Sequence, residues 1–409
     1  MTQWRDLSPR FGFAYDIFGN GRTAIKGSVN RYVLGQSVGA TARTANPASA
    51  AGDVNQRIWH DDNHDYIPQG DPLNPAANGE IGPSTNLNFG LPKFSSRFDP
   101  AYMHGGWGVR GYNWEMTSSI QHELASGVSA TAAYFRRIYG NATVTDNLLL
   151  GPGDYDSFCI TAPNDPRLPG NGGYPLCGLS NIKPASLAKG TDNFITLAKN
   201  YGDLIEHYDG VDLTVNARMR GGLLMAGGLN LGRTFTDNCS LIDKLPETVV
   251  STPSSYCHAS TPWQQQVKFY ASYGLPWNMQ LSGTFQDAFV FGGLVSSVNL
   301  GVQANYVATN AVVQPSLGRP LAGASNVTVN LITPGSDYQN RVRQLDLRVS
   351  RLFTAGGAKL RTMVDLYNVF NTNPMVEWNN SYGTNGATWL TPLTILSPRL
   401  IKFGVQLDF

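Results

Sequence analysis

Residues 398–409 read PRLIKFGVQLDF, and this stretch decides the fold. From Ile401 the apolar positions are Ile401, Phe403, Val405, Leu407 and Phe409, with Lys402, Gly404, Gln406 and Asp408 between them. Alternation of period two marks a β-strand with two unlike faces. Ends of soluble domains usually fray, yet here the pattern runs to a terminal aromatic. In hydrocarbon such order has a cause, because an unpaired strand leaves N–H and C=O groups without partners. The apolar face would meet lipid and the polar face an aqueous interior. An edge strand of a soluble sandwich would carry the same pattern, so the rest of the chain has to decide.

The pattern recurs. Phe11, Phe13, Tyr15 and Ile17 alternate with Arg10, Gly12, Ala14 and Asp16, and an Asn20-Gly21 turn signal leads into a returning strand from Thr23 to Val33. Further hairpins are predicted at 112–139, turning at Ala125-Ser126-Gly127, and at 211–235, turning at Arg220-Gly221-Gly222. Two more fall at 267–285 and 345–366. With the terminal strand this makes eleven candidate strands. Short turns alternate strictly with long segments rich in Gly, Asn, Pro and Asp, one of which contains an extra strand at 326–331. Such segregation of loop length predicts an all-β transmembrane antiparallel β-barrel, with short periplasmic turns and long extracellular loops. Trp107, Tyr112 and Trp114 then fall at the outer interface, where an aromatic girdle belongs.

Composition agrees. Only 14% of the 409 residues are charged, against ~25% in soluble domains. The formal net charge of +1 offers no nucleic-acid footprint. No apolar run approaches the ~18 residues of a membrane helix, as expected where strands do the crossing. The opening residues, Met1 to Asp6, form no signal peptide, so export information would lie upstream. Four cysteines fall in two evenly spaced pairs, Cys159/Cys177 and Cys239/Cys257, inside polar loops. They are expected to form two local disulfides in an oxidising compartment, each stabilising by about 3 kcal/mol on a loop-entropy estimate.

Several stretches resemble a known family. They are SPRFGFAYDIFGNGRTAIKGSVNRY, DNHDYIPQGDPLNPAANGE, YNWEMTSSIQHEL, TAPNDPRLPGNGGYPLCGL, QLDLRVSRLF, DLYNVFNTNP and the terminal LIKFGVQLDF. In order and spacing they resemble the carboxy-terminal barrel of Oar-like TonB-dependent outer-membrane transporters. The resemblance implies a 22-stranded barrel closed by a plug. It also implies residence in the bacterial outer membrane and energy-coupled passage of an unidentified substrate. Residues 1–409 would form the carboxy-terminal part of that barrel, about its second half. The signal peptide, plug, TonB box and amino-terminal strands would lie outside this chain. The implied partners are outer-membrane lipid, the TonB system through that missing region, the transported ligand and the barrel-assembly machinery. The last would read Phe403, Val405, Leu407 and Phe409. A passive porin or surface-adhesion barrel is the alternative.

Candidate chemistry is sparse. Asp61, Asn63 and Asp65, with the Ile67 carbonyl and Asp71, place oxygen ligands at alternate positions of a loop, as calcium loops do. Tyr66 stands where such loops prefer glycine, and no bidentate glutamate closes the set. His60 and His64 share that loop without an HExxH helix or a cysteine partner, which argues against zinc. No Gly-x-Ser-x-Gly elbow, Cys-x-x-Cys pair or phosphate loop is present, so no enzyme is expected. Alternation assigns Arg10, Lys26, Glu115, Lys268, Arg348, Arg361 and Asp365 to the interior face, where they would meet a plug, a permeating ligand or water.

Overall fold

Eleven strands follow one another along a single antiparallel path in a computed structural model, which describes residues 3–36, 55–87, 89, 96–219, 221–289, 301–338 and 341–409. They are β1 (Arg10–Asp16), β2 (Thr23–Val33), β3 (Tyr112–Ala125), β4 (Val128–Gly140), β5 (Ile205–Arg218) and β6 (Leu223–Asp237). Then come β7 (Gln264–Leu275), β8 (Met279–Phe289), β9 (Arg341–Ala355), β10 (Ala358–Tyr367) and β11 (Leu400–Asp408). A short strand, His258–Ser260, pairs beside β6 as a twelfth member. Among the described residues β1 pairs only with β2, and β11 only with β10, so the sheet is open at both edges. Because neighbours are antiparallel, the short links 17–22, 126–127, 219–222, 276–278 and 356–357 share one end. All five long segments share the other. Arg220, expected in the third turn, lies outside the described residues.

The cross-strand register separates two faces, since directly paired residues point the same way. One row runs Tyr15, Ile25, Ile120, Ala132, Leu213, Leu229. Another runs Tyr273, Leu281, Val349, Val364, Phe403. This face is bare: Phe403 is 77% exposed and Phe11 70%. A continuous apolar band of this size marks a membrane or protein contact. Burying each large apolar side chain in it is worth roughly 1.5–3 kcal/mol. Glycines let aromatics lie flat along the band. A Cβ at Gly227 would sit 2.3 Å from the ring of its pair Phe269, and one at Gly27 would sit 2.5 Å from that of Phe13. At 276–278 both Trp277 and Asn278 have positive φ, 61° and 54°, the backbone of a tight hairpin matched to strand twist.

Two strands begin four residues or more before their apolar alternation predicts. β5 starts at Ile205 rather than Val211, and β9 at Arg341 rather than Leu345. Trp107 also differs from expectation. It sits beyond the barrel strands, in a two-residue strand paired in parallel with Trp4–Arg5, whereas Tyr112 and Trp114 lie at the outer end of β3.

Most of the buried apolar core lies in the long segments, not in the sheet. Phe158 and Leu179 come from 141–204, Tyr256 from 238–263, Val302 and Val329 from the described part of 290–340, and Trp389 from 368–399. Polar bonds tie the segments together. The Leu331 carbonyl accepts from the hydroxyls of Tyr174 (2.8 Å) and Tyr256 (3.0 Å), and Trp389 Nε1 donates to the Gln303 carbonyl at 2.8 Å. Cys159 is bonded to Cys177 and Cys239 to Cys257, each within one segment. The strand predicted near 326–331 spans Asn326–Asn330 and pairs with Asn305–Thr309. Four of the five long segments thus form a folded vault above the sheet.

Candidate functional site: the polar face and the vault

All seven residues assigned to the interior lie on the face opposite the apolar band. Arg10 and Glu115 share a row with Asn30 and Arg137. Glu115 is ion-paired with Arg137. Arg10 lies over the Tyr32 ring at 4.9 Å, and Lys26 donates to Gln121 Oε1 at 2.7 Å. Arg348 holds Asp365 through two bonds, 2.5 and 3.0 Å, and Lys402 is the cross-strand neighbour of Asp365. Arg361 stands nearer the short-turn end, paired in register with Leu352 and Gln406. These residues are spread around the face and form no single cluster.

The structure does form a cavity, of about 480 Å³, toward the vault end of this face. Glu115 lines it with Arg137, Glu206, Tyr208, Asp212 and Gln266. The Tyr208 ring reaches it by lying across Gly232, where a Cβ would approach its hydroxyl to 2.3 Å. Asn230 donates to Asp212. A second cavity of about 390 Å³ contains Lys268 with Gln286, Gln344 and Asp346. Carboxylates, amides, a guanidinium and a phenol suit a polar, hydrogen-bonding ligand or segment. Of the main cavity's residues only Glu115 was singled out from sequence. The others become visible once register places Arg137, Tyr208 and Asp212 on the same face.

The acidic loop also closes differently than expected. The carboxylates of Asp61, Asp65 and Glu80 lie within 4.8 Å of one another. Asn63 Oδ1 and Asp61 Oδ1 both accept from the Asp65 N–H, and Tyr66 adopts φ 59°. The backbone at Tyr66 therefore makes the turn for which glycine is preferred. Asp71 stands outside the set and instead accepts from the Leu73 N–H at 2.9 Å. Glu80 is buried and accepts from the N–H groups of Asp62 and Gln69. The third carboxylate is thus Glu80, distant in sequence, and Ile67 contributes its N–H to Asp65.

Arg167 locks two segments of the vault together. It holds Asp165 through bonds of 2.9 and 2.6 Å and donates to the carbonyls of Gly386 (2.8 Å) and Trp389 (3.2 Å). The Arg167 guanidinium holds the Asp165 carboxyl down at about 2, while burial pushes the Tyr382 hydroxyl beside it up to about 12.

A family model described as an outer membrane beta barrel domain matches residues 1–293, and the chain belongs to that family. The protein is therefore an outer-membrane β-barrel, its apolar face toward lipid and its polar face inward. No curated protein matches the chain. Solved structures of similar course include the outer membrane transporter YddB from Escherichia coli, at 13% identity and a TM-score of 0.45, covering 97% of this chain and 40% of that one. Another is the ferripyoverdine receptor of the Pseudomonas aeruginosa outer membrane, at 11% identity and a TM-score of 0.42, covering 97% and 32%. A third is BauA, the ferric preacinetobactin receptor from Acinetobacter baumannii, at 10% identity and 0.39, covering 98% and 36%. The chain spans less than half the length of each.

The depressed Asp165 pKa gives a testable sign. Its contribution to vault stability is complete above the ordinary carboxylate value near 4 and lost as pH falls toward 2. Hydrogen exchange at 386–391 should stay constant from pH 7 to 5, after correction for intrinsic rates, and rise between pH 4 and 2. Arg167→Ala should speed it about tenfold at pH 7, the loss of one charged hydrogen-bonded contact, and weaken the acid response. Equal exchange in both proteins at pH 7 would remove the lock.

Proposed function

We propose that this chain is the carboxy-terminal part of the barrel of a TonB-dependent outer-membrane transporter, and that a polar substrate passes along its interior face. The observation that carries the reading is the cavity lined by Glu115, Arg137, Glu206, Tyr208 and Asp212 beneath a folded vault. The Oar-like motifs in the sequence support it. The open edges support the division of the barrel. β1 and β11 run in the same direction, so they cannot pair antiparallel with each other. Unpaired backbone groups in hydrocarbon cost several kcal/mol each. Partner strands from the same barrel would satisfy both edges, and the plug and TonB box would belong to that remaining part.

The test uses the intact protein extracted from outer membranes. It should retain the purified periplasmic domain of TonB on an affinity matrix, and should conduct little in a planar bilayer because a plug fills it. Failure to retain TonB together with a steady open conductance would contradict energy-coupled transport and favour a porin.

We further propose that the loop bearing Asp61, Asn63 and Asp65, with Glu80, binds calcium outside the membrane. The convergence of three carboxylates supports it. Calcium should raise the melting temperature of the intact protein by several degrees over a chelated sample, and Asp61→Ala should abolish the difference. Equal responses of wild type and Asp61→Ala would end the idea.

A further inference from the structure

Of the charges on the apolar face, two clusters have the same construction. In the first, the cross-strand row Phe11, Val29, Met116 continues through Arg136, Asp209 and Arg233. That row begins on bare lipid-facing residues, so Asp209 and its arginines point outward as well. Asp209 accepts from Arg136 at 2.9 Å and from the Tyr134 hydroxyl at 2.6 Å, and lies 3.7 Å from Arg233 and 3.6 Å from His207. In the second, the row Leu213, Leu229, Val267 continues through Asp287 to Arg343. Asp287 lies 2.5 Å from Arg341 and 3.2 Å from Arg343. Each triad sets one carboxylate between two guanidiniums and keeps one excess positive charge.

Depth explains how charge is tolerated here. Counting along β4 and β8 at 3.3 Å per residue, with the usual strand tilt, Arg136 and Asp287 lie about 20 Å above the short turns. The apolar band of such barrels is about 25 Å tall, and arginine near its border costs little. Aromatic rings hold the guanidiniums at this level: Arg233 lies over Trp263 at 4.8 Å and Arg341 over Phe289 at 4.4 Å. In each triad one arginine, Arg233 or Arg343, stays far more accessible than the carboxylate it faces. The Asp209 side chain is only 4% exposed, whereas that of Arg343 is 64% exposed. Asp237, also outward, is engaged by His258 at 3.0 Å.

We propose that the two triads bind the phosphate groups of anionic lipid headgroups in the outer leaflet. A guanidinium recognises phosphate through paired N–H donors. The triads open onto the surface already covered by lipid, so a headgroup reaches them without leaving the bilayer. They are separated by β7, about 10 Å across at ordinary strand spacing, which lets one headgroup with two phosphates, or two neighbouring lipids, occupy both.

The intact protein in detergent is titrated with phosphatidylglycerol, with zwitterionic phosphatidylcholine and with inorganic phosphate, and bound lipid is counted by native mass spectrometry. Wild type should bind phosphatidylglycerol in preference to phosphatidylcholine, with inorganic phosphate a poor competitor. Arg343→Gln and Arg233→Gln should each weaken phosphatidylglycerol binding about fivefold, the contribution of one basic residue at a membrane surface. Lys359→Gln, on the interior face, should change nothing. Arg343→Lys, which keeps charge and fold but loses the paired donors, should fall between. Equal binding of both lipids, unchanged binding in the glutamine variants, or displacement by millimolar inorganic phosphate would each overturn the proposal.

Discussion

Backbone hydrogen bonding is the constraint on which everything else here depends. Hydrocarbon offers no partner to a stray N–H or C=O, so a strand crossing a membrane must have neighbours. From β2 through β10 every strand has one on each side. Once pairing is fixed, so is the direction of each side chain, because a slip of one residue would turn every apolar residue inward. The register that places Phe403 opposite Val364 is therefore the same fact that places Lys402 opposite Asp365. Lipid contact and interior chemistry are two readings of one ladder.

Above the membrane the constraint is lifted and ordinary folding takes over. The vault has what the sheet lacks, a buried apolar core, with Trp389, Phe158 and Leu179 almost fully enclosed. Its parts come from four segments far apart in sequence. Tyrosines that donate to one carbonyl and the Arg167 lock join them, and a disulfide braces each of two segments internally. A body fastened in this way can hold a fixed shape over the cavity formed by Glu115, Tyr208 and Asp212.

The sheet was largely legible in the sequence because its signal is local. Period two at 401–409 or 11–17 needs no knowledge of distant residues. The vault was not, because its contacts join residues such as Gln303 and Trp389 that no periodicity relates. Glu80 escaped the calcium-like set for the same reason: only folding brings it to Asp61. The seven interior residues could be assigned to a face but not to a cavity, since that needs register. The two misplaced strand starts are the most informative departure. Alternation stopped at Val211 and Leu345 because the next outward positions are Asp209 and His207 in one strand, and Arg343 and Arg341 in the other. Those residues break the apolar pattern at the places where the lipid face carries its charged triads.

The central claim is that register divides each strand into a lipid face and a water face, and accessibility along β9 tests it most directly. Nitroxide labels placed one at a time at residues 344–349 of the intact protein in liposomes would be probed with oxygen, which partitions into lipid, and with a water-soluble nickel chelate. The account predicts high oxygen accessibility at Leu345, Leu347 and Val349, and high nickel accessibility at Gln344, Asp346 and Arg348, with a period of two. A profile without that period, or with the opposite phase, would contradict it.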